Sequence, residues 1–145
     1  MKARIKFVEN VTFLAESGTG HAVVIDGAPD EGGRNLGARP MELLLMGLGS
    51  CSAFDVVLIL RKGREQVTDC VVEVEAERAA TDPKVFTRIH MHYRVTGHGL
   101  APAKVERAIA LSAEKYCSAS AIMSKTATMT HDWEVVEETA AAPSA

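Results

Sequence analysis

Apolar and polar residues alternate along most of this chain, and one long stretch breaks that rhythm. Residues 2–8 place Ala3, Ile5 and Phe7 on one face and Lys2, Arg4 and Lys6 on the other, the period of a half-buried strand. Residues 11–15 and 21–25 predict two more strands, with Gly-Thr-Gly at 18–20 as the turn between them. Val72, Val74 and Ala76 alternate with Glu73, Glu75 and Glu77, and residues 85–96 alternate again beyond the turn Thr81-Asp82-Pro83-Lys84. That pair predicts an antiparallel hairpin. A last alternating run covers 128–136. Helical spacing appears behind Pro102, at Val105, Ala108, Ile109, Ser112 and Tyr116, and a shorter helix is expected from 118 to about 126.

Residues 41–60, MELLLMGLGSCSAFDVVLIL, are apolar on nearly every side of a helix that Pro40 opens and Gly63 ends. Ahead of it, residues 26–39 are rich in Gly, Pro, Asp and Asn and predict a long loop. Strands, one helix, strands, helices and a final strand form segregated runs, which indicate an α+β fold. The expected architecture is antiparallel sheets packed around a long buried central helix. Such a helix needs apolar partners on both sides. A sheet of its own chain covers one, and a second copy of the chain is expected to cover the other, giving a homodimer. Residues 1–137 are expected to form a single domain, with 138–145 a disordered tail.

Composition narrows the function. With 145 residues, 47% hydrophobic and 24% charged, the chain has the makeup of a globular domain large enough to bury its own core. The net charge of −3 and scattered basic residues argue against nucleic acid and anionic membrane as partners. The 41–60 segment is long enough to span a bilayer, but Glu42 and Asp55 interrupt it and favour a core helix. The start of the chain lacks the apolar run of a secretory signal. Three cysteines, without a C-x-x-C, point to reduced thiols and a cytoplasmic location.

Two of those thiols stand in places where chemistry is possible. Cys51 lies mid-helix behind Gly47 and Gly49, and each glycine costs about 1 kcal/mol relative to alanine inside a helix. Their smallness serves either close packing or access to the thiol. Cys117 lies where one predicted helix ends and the next begins, a position at which a thiolate is favoured. Cys70 sits in an alternating strand and is expected to pack. His90 and His92 share a strand face, which His98 and His131 could join, without a diagnostic metal spacing. No cofactor or metal is expected.

The stretch RPMELLLMGLGSCSAFDVV, followed by a second cysteine in EKYCSASAIM, resembles the OsmC/Ohr family of osmotically inducible and organic hydroperoxide resistance proteins. The likeness runs to about residue 137. It implies an OsmC-like fold, an intertwined homodimer and thiol-dependent reduction of hydroperoxides, with apolar residues such as Leu44, Leu45, Leu48, Phe54 and Met123 favouring organic peroxides. Cys51 matches the cysteine that attacks the peroxide, and Cys117 the one that resolves it as a disulfide. A lipoyl-type dithiol is the implied reductant. The family's acid directly follows the helix-opening Pro; here Met41 takes that place and Glu42 follows. The family's activating Arg belongs to a stretch resembling SGTGHAVVID, which offers only His21, so Arg39 beside Pro40 becomes the candidate cation. The alternative reading is a small-molecule binding protein that shares the fold without the peroxidase chemistry.

Overall fold

A computed structural model describes residues 1–138; the predicted tail lies otherwise outside the described residues. The chain divides into two compact units, Met1–Leu45 and the residues from Met46 onward. In the first, strands β1 (Ala3–Glu9), β2 (Thr12–Ser17) and β3 (Ala22–Ile25) form an antiparallel meander in the order β1-β2-β3. Phe7 faces Phe13 across β1 and β2, with ring centroids 5.8 Å apart at 70°. The period of two is present as expected, yet Ile5 and Phe7 remain 60% and 58% exposed, so none of the described residues covers this face of β1.

The glycine-rich loop after β3 is held by one buried carboxylate. Asp26 accepts backbone N–H bonds from Gly27, Arg34 and Leu36 and a hydroxyl bond from Thr12. These donors, led by Leu36, hold its carboxyl down at about 2 against the opposing effect of burial. Gly33 passes so close to Gly27 that a Cβ there would lie 2.0 Å from the Gly27 carbonyl oxygen, and only glycine permits that crossing.

Helix α1 (Pro40–Lys62) runs unbroken through both glycines. Arg39 caps it: its backbone N–H donates to Glu42, three residues on, at 2.9 Å, one half of a capping box. Glu42 in the first turn and Arg61 and Lys62 in the last complement the helix dipole. The second unit contains most of α1, then β4 (Gln66–Arg78), β5 (Phe86–His98), α2 (Pro102–Leu111), α3 (Ser118–Met123) and β6 (Thr128–Glu137). The expected hairpin is β4 with β5. One pairing departs from the antiparallel expectation, because β6 runs parallel to β5. The helical connection from β5 through α2 and α3 is long enough to return the chain to the end where β5 began, as a parallel pair requires.

The core of this unit is the inward face of β5 (Ile89, Met91, Tyr93 and Val95) against Val105, Ala108 and Ile109 of α2 and Leu48, Val56 and Leu60 of α1. Burial along α1 follows the helical repeat through Leu48, Ser52, Val56 and Leu60. Gly49 owes its smallness to packing, since a Cβ would meet Val74 of β4 at 3.0 Å. Around Gly47 there is open space. Within one chain the sheet covers one side of the helix and leaves another apolar face open. Leu44, Met46, Phe54 and Leu58 are exposed, Phe54 at 66%. By length and hydropathy α1 would suffice to cross a membrane; its buried face packs on the sheet instead.

Candidate active site

Helix α1 presents Cys51 and Asp55 one turn apart on the same side, both half-buried. Cys117 reaches them through a local irregularity. After α2 the chain makes a five-residue π-helical turn, Ser112–Tyr116, closed by the Cys117 N–H donating to the Ser112 carbonyl at 2.9 Å. Such wide turns are rare and concentrate at functional sites. This one buries both its first residue, Ser112, and the residue after it, Cys117. Cys117 leaves the turn in an extended conformation and caps α3, its Sγ accepting the Ser120 N–H at 3.4 Å.

The result is a three-group cluster. Cys51 Sγ, Cys117 Sγ and a carboxylate oxygen of Asp55 all lie within 4.8 Å of one another. Burial pushes the Cys117 thiol up; the Ser120 hydroxyl and N–H favour its thiolate, and Cys51 opposes it. The Ser120 hydroxyl is itself buried and lacks a hydrogen bond of ordinary geometry.

Behind the cluster runs a buried hydroxyl chain. Tyr93 OH lies 2.6 Å from Ser52 Oγ, Ser52 Oγ lies 2.8 Å from Ser112 Oγ, and the Ser112 hydroxyl donates to Asp55 Oδ2 at 3.2 Å. Ionised Asp55 is the member that accepts without donating, so the chain orders as Tyr93 to Ser52 to Ser112 to Asp55. Tyr93 remains a donor throughout the ordinary range because burial pushes its hydroxyl up to about 12, the Ser52 hydrogen bond opposing.

The candidates read from sequence divide accordingly. Cys51 and Cys117 are brought together. Arg39 and Glu42 stand at the start of α1, both exposed, with Glu42 engaged in the cap and the Arg39 guanidinium in no ion pair among the described residues. His21 is exposed beside the β2–β3 turn, where its N–H donates to Ser17 Oγ. Cys70 lies within β4; burial first, then the charge of Asp69, push its thiol up to about 11. Of the apolar residues expected to line the site, Leu48 is fully buried in the core. The four histidines go separate ways: His90 and His92 pair with Asp132 on the outer sheet face, His98 bonds Glu138, and His131 packs edge-on to Tyr93. Sequence reasoning missed Asp55, Ser52, Ser112 and Tyr93 as parts of the site. The one available signal was the Cys51-x-x-x-Asp55 spacing, which aligns two side chains on a helix.

The chain is similar to known proteins over nearly its whole length. The curated protein YhfA of Escherichia coli K12 is 48% identical over 136 residues, covering 94% of this chain and 98% of its own length. A crystal structure of a hypothetical protein from Aquifex aeolicus VF5 is 31% identical, with a TM-score of 0.83 over 95% of this chain and 97% of that one. An organic hydroperoxide resistance protein OsmC from Legionella pneumophila shares the fold at 18% identity, with a TM-score of 0.68 over 94% and 96% of the two chains. Residues 32–132 match the family described as OsmC-like protein. This chain belongs to the OsmC-like family.

Proposed function

We propose that this protein is a thiol-dependent peroxidase that reduces organic hydroperoxides through Cys51 and Cys117. The observation that carries the reading is the approach of the two sulfurs, from α1 and from the end of the π turn, to within 4.8 Å. Cys51, the more accessible of the pair, attacks the distal peroxide oxygen and becomes a sulfenic acid. Cys117 condenses with it to a disulfide, releasing water. A dithiol of the lipoyl type resets the pair by exchange. Three free thiols fit a cytoplasmic setting.

The working unit in this proposal is a homodimer. Large apolar side chains are exposed on α1 (Leu44, Met46, Phe54 and Leu58) and, separately, on β1 (Ile5, Phe7 and Val8), and a second copy of the chain would cover them. Because α1 is continuous, Arg39 and Glu42 are placed at its start, and Cys51 more than two turns further along. In the dimer, Arg39 of the partner subunit is the cation offered to Cys51, with Glu42 fixing the Arg39 backbone.

Consumption of cumene hydroperoxide with dihydrolipoamide tests the reading. Cys51→Ser is expected to lower the rate at least about a hundredfold, while Cys70→Ser leaves it unchanged. Wild-type protein that consumes no hydroperoxide under these conditions would leave the binding-protein reading in its place. Sedimentation at micromolar concentration is expected to give twice the 15.5 kDa chain mass, and a clean monomer would remove the dimer from the proposal.

A further inference from the structure

We propose that Asp55 is the proton carrier of this site, taking the proton from the attacking thiol and returning it to the departing oxygen. The inference rests on the peroxidase reading and adds to it a group that the cysteine pair alone does not supply. Thiol attack on a hydroperoxide needs a base to free the sulfur and an acid to receive the alkoxide. A carboxylate oxygen within 4.8 Å of both sulfurs is placed to be each in turn.

The hydroxyl chain behind Asp55 is built for a carboxyl that changes protonation state. With Asp55 ionised, Tyr93, Ser52 and Ser112 all point their protons toward it. Once Asp55 is protonated it can donate to Ser112, which then donates to Ser52, which donates to Tyr93. The Tyr93 proton is not stranded by that reversal, because Met91 Sδ lies 3.6 Å from the Tyr93 oxygen as an alternative acceptor. Both states of the carboxyl thus keep Tyr93, Ser52 and Ser112 hydrogen-bonded, and neither orphans a hydroxyl of the chain. A purely structural carboxylate would need only the first arrangement.

The proton balance closes in both steps. Asp55 takes the Cys51 proton; the sulfur bonds to the distal oxygen of the hydroperoxide as the O–O bond breaks. The departing alkoxide takes the proton back from Asp55 and leaves as alcohol, while the sulfenic acid keeps the hydroperoxide hydrogen. In the second step Asp55 takes the Cys117 proton. The Cys117 sulfur bonds to Cys51, the S–O bond breaks, and the proton joins the leaving hydroxide as water.

Asp55→Asn separates this role from a structural one, because its two readouts move apart. Single-turnover oxidation of Cys51 by cumene hydroperoxide is expected to slow about a hundredfold or more, the usual contribution of a positioned acid–base group. Alkylation of Cys51 by iodoacetamide in strong alkali, where hydroxide replaces Asp55 as the base and iodide leaves without a proton, is expected to be no slower than in wild type. Oxidation at the wild-type rate would overturn the assignment, and so would a parallel loss of both rates, the mark of a collapsed site. Should Asp55→Asn fail to fold, Asp55→Glu keeps the carboxyl: partial retention of oxidation supports the role, and a loss as complete as in Cys51→Ser contradicts it. Wild-type protein inert to hydroperoxide would defeat the peroxidase reading itself, a failure recognised before any variant is made.

Discussion

The carboxylates of Asp26 and Asp55 each anchor a hydrogen-bond network, and the two networks are put together differently. Asp26 is saturated by three backbone N–H donors and a hydroxyl, all of which prefer the ionised form, and its carboxyl is held at about 2. Asp55 receives one hydroxyl, stands beside two thiols, and ends a chain of groups that can each donate or accept. Backbone donors cannot reverse, whereas hydroxyls can. A carboxylate meant to organise a loop is therefore surrounded by N–H groups, and one meant to pass a proton is backed by hydroxyls.

Replacing the charge should break the two networks unequally. In Asp26→Asn, whichever way the amide turns, its NH2 faces at least one fixed backbone donor: the N–H groups of Arg34 and Leu36 on one side, or that of Gly27, beside the Thr12 hydroxyl, on the other. Calorimetry is expected to show the midpoint falling by more than about 5 °C, against a smaller fall for Asp55→Asn. Acid sharpens the same contrast. Because the folded Asp26 carboxyl lies below its unfolded value, its contribution is complete above the ordinary carboxylate range and drains away as pH falls from about 4 toward 2. In Asp26→Asn that part of the acid transition is expected to be missing.

Smaller effects come from the hydroxyl chain. Ser52→Ala cuts the chain in the middle, leaving Tyr93 only the weak acceptor Met91 Sδ and Ser112 without the hydroxyl that donates to it, and should cost about 1–3 kcal/mol by urea denaturation. Tyr93→Phe removes one end of the chain and leaves Ser52 free to donate to Ser112, so about 0.5–1.5 kcal/mol is expected. Equal costs would mean that the chain is not ordered from Tyr93 toward Asp55.

What the sequence disclosed of this arrangement follows from the range of the forces involved. Alternation in β4 and β5 and the apolar run of α1 are local patterns, and the elements lie where those patterns place them. The pairing of Cys51 with Cys117 came from resemblance and spans distant segments, as does the link from Ser52 to Ser112 and Tyr93. Serines on an apolar helix and a tyrosine on an inward strand face look like ordinary core residues until their partners are known. The parallel direction of β6 was equally hidden, because a long connection permits either sense. The exposed face of α1 was legible, because a helix apolar on nearly every side has more faces than one sheet can cover.

The most direct test of the account is the disulfide map of the protein after one equivalent of hydroperoxide and alkylation of the remaining thiols. The expected product is a Cys51–Cys117 disulfide within one chain, reversed by dihydrolipoamide, with Cys70 recovered as a free thiol. Cys70 is held back because burial and Asp69 push its thiol up to about 11. Oxidation that links Cys70, or that leaves Cys51 and Cys117 unlinked, would contradict the pairing on which the proposed chemistry stands.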